Sequence, residues 1–296
     1  HRTSFRVVFN RIFPVYFYGL FFALLLSSIF IFTINDINES NYSPFVLGIN
    51  VFLNNFPANP TTWYIGTYLH LLLFWFFFIR GKKITKRHLS IAIIFEILMR
   101  AFLLYLDKNF IAYMTLPNWL TVFLLGTYLH QHKDTKWHAK TVFLIIVWAI
   151  LLALWASPLN TLVAVKSFPF RDLTMNDSWT PIIRSCLISI IYIANTYVFF
   201  ELFRRLPKSA IVSFFARNSL ITFIIHMPLI YAINKYVYSY FDADWSKKLA
   251  LVLIIFVGTA IISEIMQKLI KLAPLQTRAW KLSTNLMSKV SKQKYS

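Results

Sequence analysis

The chain reads as an all-α, polytopic transmembrane bundle of about eight spans, and three observations lead there. Its 296 residues are 58% hydrophobic and 18% aromatic but only 14% charged, far more apolar than a soluble domain. The apolar residues gather in runs that can cross, or nearly cross, about 30 Å of hydrocarbon. The basic residues fall mostly between those runs, with an excess on alternate loops, as the retention of Lys and Arg on the cytoplasmic side requires.

In order, the first dozen residues, with Arg2, Arg6 and Arg11, read as a basic loop, and the first span follows over about 13 to 34. The patch Phe45 to Phe56 is too short to cross and is interrupted by Asn50, Asn54 and Asn55 before Pro57, so it reads as a re-entrant or interfacial piece. Spans two to five cover about 62 to 79, 89 to 106, 115 to 130 and 140 to 157. The fourth is shortest and calls for bilayer thinning or burial by neighbours. Spans six to eight cover about 181 to 203, 212 to 236 and 247 to 270. Pro274 then breaks the helix, and Ala279, Leu282, Leu286 and Val290 recur at helical spacing among lysines. Such a segment either lies flat on an anionic leaflet or frays as a basic tail. The division is a transmembrane domain over 1–272 and a basic cytoplasmic tail over 273–296.

Placing Arg2, Arg6 and Arg11 inside puts Arg80, Lys82, Lys83, Lys86 and Arg87 on the same face, followed by Lys133, Lys136 and Lys140, then Arg204, Arg205, Lys208 and Arg217, then the tail. The opposite face holds only Lys108, Lys166, Arg171, Lys235, Lys247 and Lys248. The chain is therefore expected in the cell membrane with both ends cytoplasmic. A net charge of +19 distributed this way fits membrane lipids with anionic headgroups and not nucleic acid. The single cysteine, Cys186, excludes a disulfide within the chain.

The stretch ARNSLITFIIHMPLIY, Ala216 to Tyr231, places one histidine and one proline inside an apolar run. His226 falls roughly 20 Å along its helix, about 14 residues from Val212, where an imidazole needs a partner. Pro228 donates no backbone hydrogen bond, so a kink and an irregular, polar, enclosed site are expected beside it. Glu96 and Arg100 stand one turn apart on the third span. They either pair to hold helices in register, or Arg100 binds a carboxylate, phosphate or thioester carbonyl while Glu96 orients it. Arg184, Glu201 and Glu264 sit near span ends, where snorkelling accounts for them. His70 also lies at mid-membrane depth. No HExxH or CxxC spacing accompanies these histidines, so no metal site is expected. The sequence contains neither a Gly-rich phosphate loop nor a GxSxG elbow.

Acyl transfer gives these groups a common purpose. A hydroxyl attacks a thioester slowly until a base takes its proton, and negative charge then develops on the carbonyl oxygen, where arginine or amide donors stabilise it. A lumen across the bundle is also required; Gly66, Gly126 and the Pro228 kink either loosen packing enough to leave one or, as small residues more often do, simply let helices approach closely.

Four stretches carry a resemblance: NRIFPVY at Asn10 to Tyr16, TWYIGTYL at Thr62 to Leu69, FLLG at Phe123 to Gly126, and SLITFIIHMP at Ser219 to Pro228. In that order they are similar to the integral-membrane acyltransferase-3 family, which acylates sugars and cell-surface polysaccharides. The resemblance implies transfer of an acetyl or similar group from acyl-coenzyme A, as co-substrate and not as bound cofactor, to a hydroxyl of an envelope glycan or lipid-linked saccharide. It implies that Arg6 and Arg11 face the donor's phosphates, that Arg100 or Arg184 orients the acyl carbonyl with Glu96, and that His226 supports the pocket. Trp63, Tyr64 and His70 then line the acceptor side. Members of the family carry a catalytic histidine on an earlier span that this chain does not match, so the chain is expected to lack its general base and to be inactive alone. The competing reading is a transporter or exporter of a glycan or its lipid-linked precursor.

Overall fold

The computed structural model describes residues 2–30, 42–53, 62–132, 138–156, 180–205, 209–236 and 244–293, and every regular element among them is helical. Two compact units result, residues 70–207 and residues 1–69 with 208–296.

Helix α4 (Trp63–Phe74) belongs to the unit of residues 1–69 and 208–296 up to Leu69 and to the 70–207 unit from His70; it ends in a π turn over Trp75–Ile79, and α5 (Lys86–Tyr105) follows. Thr85 starts α5 by a reciprocal capping arrangement in which its N–H reaches Nδ1 of His88 at 3.1 Å. Next come α6 (Asn109–Met114) and α7 (Leu116–Gln131), the latter opened by an extended Thr115 and by Pro117, which lacks the N–H a first turn cannot use. Then come α8 (Ala139–Ala156) and α9 (Thr180–Phe203). Helices α5, α7 and α9 pack on one another. Ile79, Ile84, Ala92, Leu120 and Leu124 form one core, and Leu104, Ala112, Tyr113 and Ile188 another. Helix α8 is joined to α9 by Trp148, whose indole N–H donates to Asn195 at 2.6 Å. On α5 the inward face is Ala92, Glu96, Arg100, Ala101 and Leu104, whereas Ile91, Ile94, Leu98, Phe102 and Tyr105 are exposed.

The other unit contains α1 (Arg2–Phe30), the one-turn helices α2 (Ser43–Val46) and α3 (Asn50–Leu53), α10 (Ala210–Tyr236), α11 (Asp244–Leu253), a π turn at Ile254–Gly258, α12 (Thr259–Leu269) and α13 (Leu272–Gln293). Tyr18 and Phe22 of α1 pack with Ile221, Ile224 and Ile225 of α10, while Val15, Phe45 and Ile65 form a second cluster. Helix α13 lies on α1: the Trp280 and Phe9 rings are 5.1 Å apart, and Gln276 donates to the Asn10 carbonyl at 3.1 Å.

Among the described residues, Lys86–Tyr105, Phe110–Gln131 and Ser185–Phe203 are long and apolar enough to cross a membrane, with shorter apolar helices at Trp63–Ile79, Ala139–Ile150 and Ala210–His226. These fall on the second to seventh expected spans.

Several expectations need correction. The opening residues are helical from Arg2 and do not form a loop, because Val7, Val8, Phe9 and Ile12 continue the apolar content of α1 back past its arginines. The break before the tail lies at Ile270 and Lys271; Pro274 occupies the first turn of α13, where its missing N–H costs nothing. The patch from Phe45 resolves into two single turns, and Asn50 is buried with its amide donating to the Thr62 carbonyl at 3.2 Å. The seventh expected span needs no correction: α10 runs through Pro228 and ends at Tyr236, where that span was expected to end. Residues 31–34, 54–57, 133–137 and 157–179, and the side chains of Arg184, Pro228, Leu286 and Val290, lie outside the described residues.

Gly66 does not open a lumen; it closes a contact. A Cβ there would meet Oδ1 of Asn50 at 2.3 Å, whereas one at Gly126 meets nothing within 4 Å. Gly66→Ala is therefore expected to cost about 1–3 kcal/mol by overpacking. Gly126→Ala, in mid-helix, is expected to be neutral or to gain up to about 1 kcal/mol. Thermal unfolding of the two variants in detergent checks both; equal melting temperatures would refute the distinction.

Candidate functional site

Two polar clusters stand out, one in each unit. The first is organised by Arg100, 1% exposed, and Glu96, 0% exposed. Their spacing of four places both on the inner face of α5, and the carboxylate accepts from Nη2 of the guanidinium. Arg100 Nε donates to the side-chain Oδ1 of Asn118. Its Nη1 donates to the Ser185 carbonyl at 2.7 Å and to Oγ of Ser189 at 2.9 Å. Ser189 passes its own hydroxyl proton to Glu96 at 2.8 Å, and the Thr121 N–H reaches the second carboxylate oxygen at 3.2 Å. Asn118 is held in turn by donating to the Tyr113 carbonyl at 2.8 Å. The Tyr192 ring lies beside the guanidinium, 6.0 Å from its centre, and stacks on Trp119 at 5.2 Å. Charge and donors are thus matched inside the protein, and α5, α7 and α9 are tied at one level. In this arrangement the pair holds helices together and offers no open face to a ligand.

The second cluster is built around His226. The carbonyl oxygen of Phe223, one turn back on α10, is the partner of Nδ1. A carbonyl only accepts, so Nδ1 donates this bond and carries a proton. The Phe223 ring lies 5.3 Å from the imidazole and 4.8 Å from Tyr64, so α4 and α10 meet through it. Tyr64 stacks on Tyr68 at 5.9 Å and meets Trp63 edge-on at 6.1 Å. Tyr68 lies within electrostatic reach of Arg11. The continuous helix satisfies the imidazole locally, so the expected irregularity at Pro228 is not what gives His226 its partner.

Next to these groups α10 and α12 share a polar seam. Arg217 pairs with Glu264 at 2.8 Å, Asn218 donates to Glu264 at 3.0 Å, and Ser263 and Gln267 donate to Asn218 Oδ1 at 2.8 and 2.7 Å. Glu264 is therefore an ion-pair partner and not a snorkelling group. Glu201 is corrected in the same way: its carboxylate is 2% exposed as a residue and holds both Arg204 and Arg205. A cleft of about 290 Å³ opens beside the seam, between Tyr18 of α1, Arg217 and Ile221 of α10, and Leu272 of α13.

The expected residues thus divide. Glu96 meets Arg100, and Tyr64 meets His226 through Phe223. Trp63 and Tyr64 are half-buried, and His70, seven residues beyond Trp63, lies two turns further along α4, also half-buried. Arg6 and Arg11 are both exposed on α1, and five residues of helix separate them by about 140° around its axis, so they do not form one pincer. Arg184 belongs to α9. Asn118, Ser185, Ser189 and the Arg217 seam were not singled out in the sequence; the four-residue spacing of Ser185 and Ser189 on an apolar helix was the available signal. Among the described residues no three His, Cys, Asp or Glu side chains gather as a metal site.

A helical bundle with apolar residues facing outward and ion pairs sealed within is an integral-membrane protein with a polar interior. The family model described as an acyltransferase domain matches residues 1–266, and the chain belongs to that family, acyltransferase-3, whose members are membrane acyltransferases. No curated protein and no solved structure matched the chain.

Proposed function

We propose that the protein moves an acetyl or similar acyl group from acyl-coenzyme A to a hydroxyl of a cell-envelope polysaccharide or lipid-linked glycan, within an eight-span bundle whose ends are both cytoplasmic. Family membership supports the reaction class, and the bond donated by Nδ1 of His226 supports the role at its centre. With Nδ1 held by the Phe223 carbonyl, Nε2 accepts the proton of the attacking hydroxyl, so this reading gives the chain a base of its own and sets aside the expectation that it is inactive alone. The hydroxyl oxygen bonds to the thioester carbon, the carbon–sulfur bond breaks, and the proton passes on to the departing thiolate. Trp63 and Tyr64 provide flat aromatic faces for a sugar ring, with His70 further along the same helix. Arg11, near Tyr68, and Arg6 contribute positive charge for the donor's phosphates, and we assign to Arg184 the orienting of the acyl carbonyl. Arg100 and Glu96 act as a positioning pair that ties α9, which carries Arg184, to α5 and α7.

Mass-labelled acetyl-coenzyme A supplied to membranes containing the protein tests the proposal. Label in the glycan, dependent on His226, is the expected result. Glycan crossing the membrane without acquiring label would overturn it in favour of an exporter.

A further inference from the structure

The basic loop after α4 has been counted so far only for its charge. It is also pinned in place. The Arg80 N–H returns to the Trp75 carbonyl at 2.7 Å, closing the π turn, and Gly81 takes a φ of 75° that reverses the chain. Gln131, the last residue of α7, then grips the loop twice: Oε1 accepts the Ile84 N–H at 2.8 Å, and Nε2 donates to the Lys82 carbonyl at 3.1 Å. Ile84 itself is 1% exposed, seated among Ile79, Ala92, Leu120 and Leu124. Lys82 and Lys83 are therefore displayed on backbone that is ordered before any ligand arrives, which removes part of the ordering cost of binding.

Between this loop and the ends of α4 and α7 lies a cleft of about 460 Å³. Trp75 and Ile79 give it an apolar wall; Lys82, Lys83, Thr127 and Gln131 give it a polar one, and no carboxylate lines it among the described residues. The contrast with the smaller cleft of the other unit is informative, because there Arg217 is already committed to Glu264. Two lysines lining one space of this size with an indole match a ligand that joins an aromatic ring to phosphates.

We propose that this cleft binds the phosphorylated adenosine end of the acyl donor, with Lys82 and Lys83 on its phosphates and Trp75 against the purine. The inference rests on acyl-coenzyme A being the donor and adds where it is held. A lipid phosphate would satisfy the lysines equally but has no ring for the indole.

The test uses the whole protein in detergent, with coenzyme A as probe, measured by calorimetric titration alongside acetyl-transfer kinetics in membranes. Lys82→Ala with Lys83→Ala is expected to weaken coenzyme A binding about tenfold or more and to raise KM for acetyl-coenzyme A with kcat nearly unchanged. Lys86→Ala with Arg87→Ala removes the same charge outside the cleft and is expected to stay within about twofold of the unmodified protein. Trp75→Phe, which keeps a ring, is expected to bind more tightly than Trp75→Leu. Equal losses from the two charge pairs, or no loss from either, overturn the site. Loss of binding to phosphatidylglycerol vesicles with coenzyme A affinity intact overturns it in favour of a lipid headgroup. If the protein transfers no label yet binds coenzyme A through Lys82 and Lys83, the cleft assignment stands and the proposed reaction falls.

Discussion

Arg100→Ala is expected to destabilise the 70–207 unit by about 3–5 kcal/mol, because it leaves the Glu96 carboxylate buried without its counter-charge. The loss is larger than a cavity of that size explains, since Asn118, Ser185 and Ser189 lose a shared donor at the same time. Replacing both members, Glu96→Leu with Arg100→Met, is expected to recover most of the loss, as apolar side chains of similar volume do at buried pairs. Cys186, half-buried on α9, supplies the readout: a thiol-reactive fluorophore reports the temperature at which the helix opens. An alanine variant that melts with the unmodified protein would show that α5, α7 and α9 are held by their apolar contacts alone.

For His226→Gln the expected result is a fall in kcat of about 10²–10⁴-fold, with KM for the acyl donor little changed, because the amide cannot cycle a proton as Nε2 does. Glutamine remains able to bond the Phe223 carbonyl, so the helix and its aromatic neighbours persist. A variant within tenfold of the original kcat would remove His226 from proton transfer while leaving the family assignment untouched.

Both experiments concern residues that the sequence marked, though for unequal reasons. Glu96 and Arg100 were legible because a charge in an apolar run must find a partner, and a spacing of four supplies one on the same helix. The partners on α7 and α9 were not legible: Asn118, Ser185 and Ser189 are ordinary polar residues until three helices bring them to one level, 85 and 89 positions from Arg100 for the two serines. His226 was visible as an isolated imidazole, but its partner was expected from a proline kink. The continuous helix satisfies it through the Phe223 carbonyl three residues earlier. Length and apolar content located the helices expected as spans two to seven closely, three of them long and apolar enough to cross a membrane, because those are properties of single segments. The helical start at Arg2 was missed for the opposite reason. Arginines are read as loop residues by composition, yet a helix carries them readily on an exposed side. Glu201 and Glu264 show the same limit, since nothing local distinguishes a carboxylate reaching for headgroups from one clasping two arginines.

The two faces of α5 carry a practical consequence. Its mid-helix charges, Glu96 and Arg100, point inward and its isoleucines and phenylalanines such as Ile91 and Phe102 point out, the reverse of a helix in a water-soluble globule, so its folding information and its solvent preference reside in separate residues. Rewriting Ile91, Ile94, Leu98 and Phe102 as glutamate and lysine would change what that surface dissolves in while leaving the inner constellation intact. For this helix, adaptation to an aqueous medium is a matter of repainting the exterior.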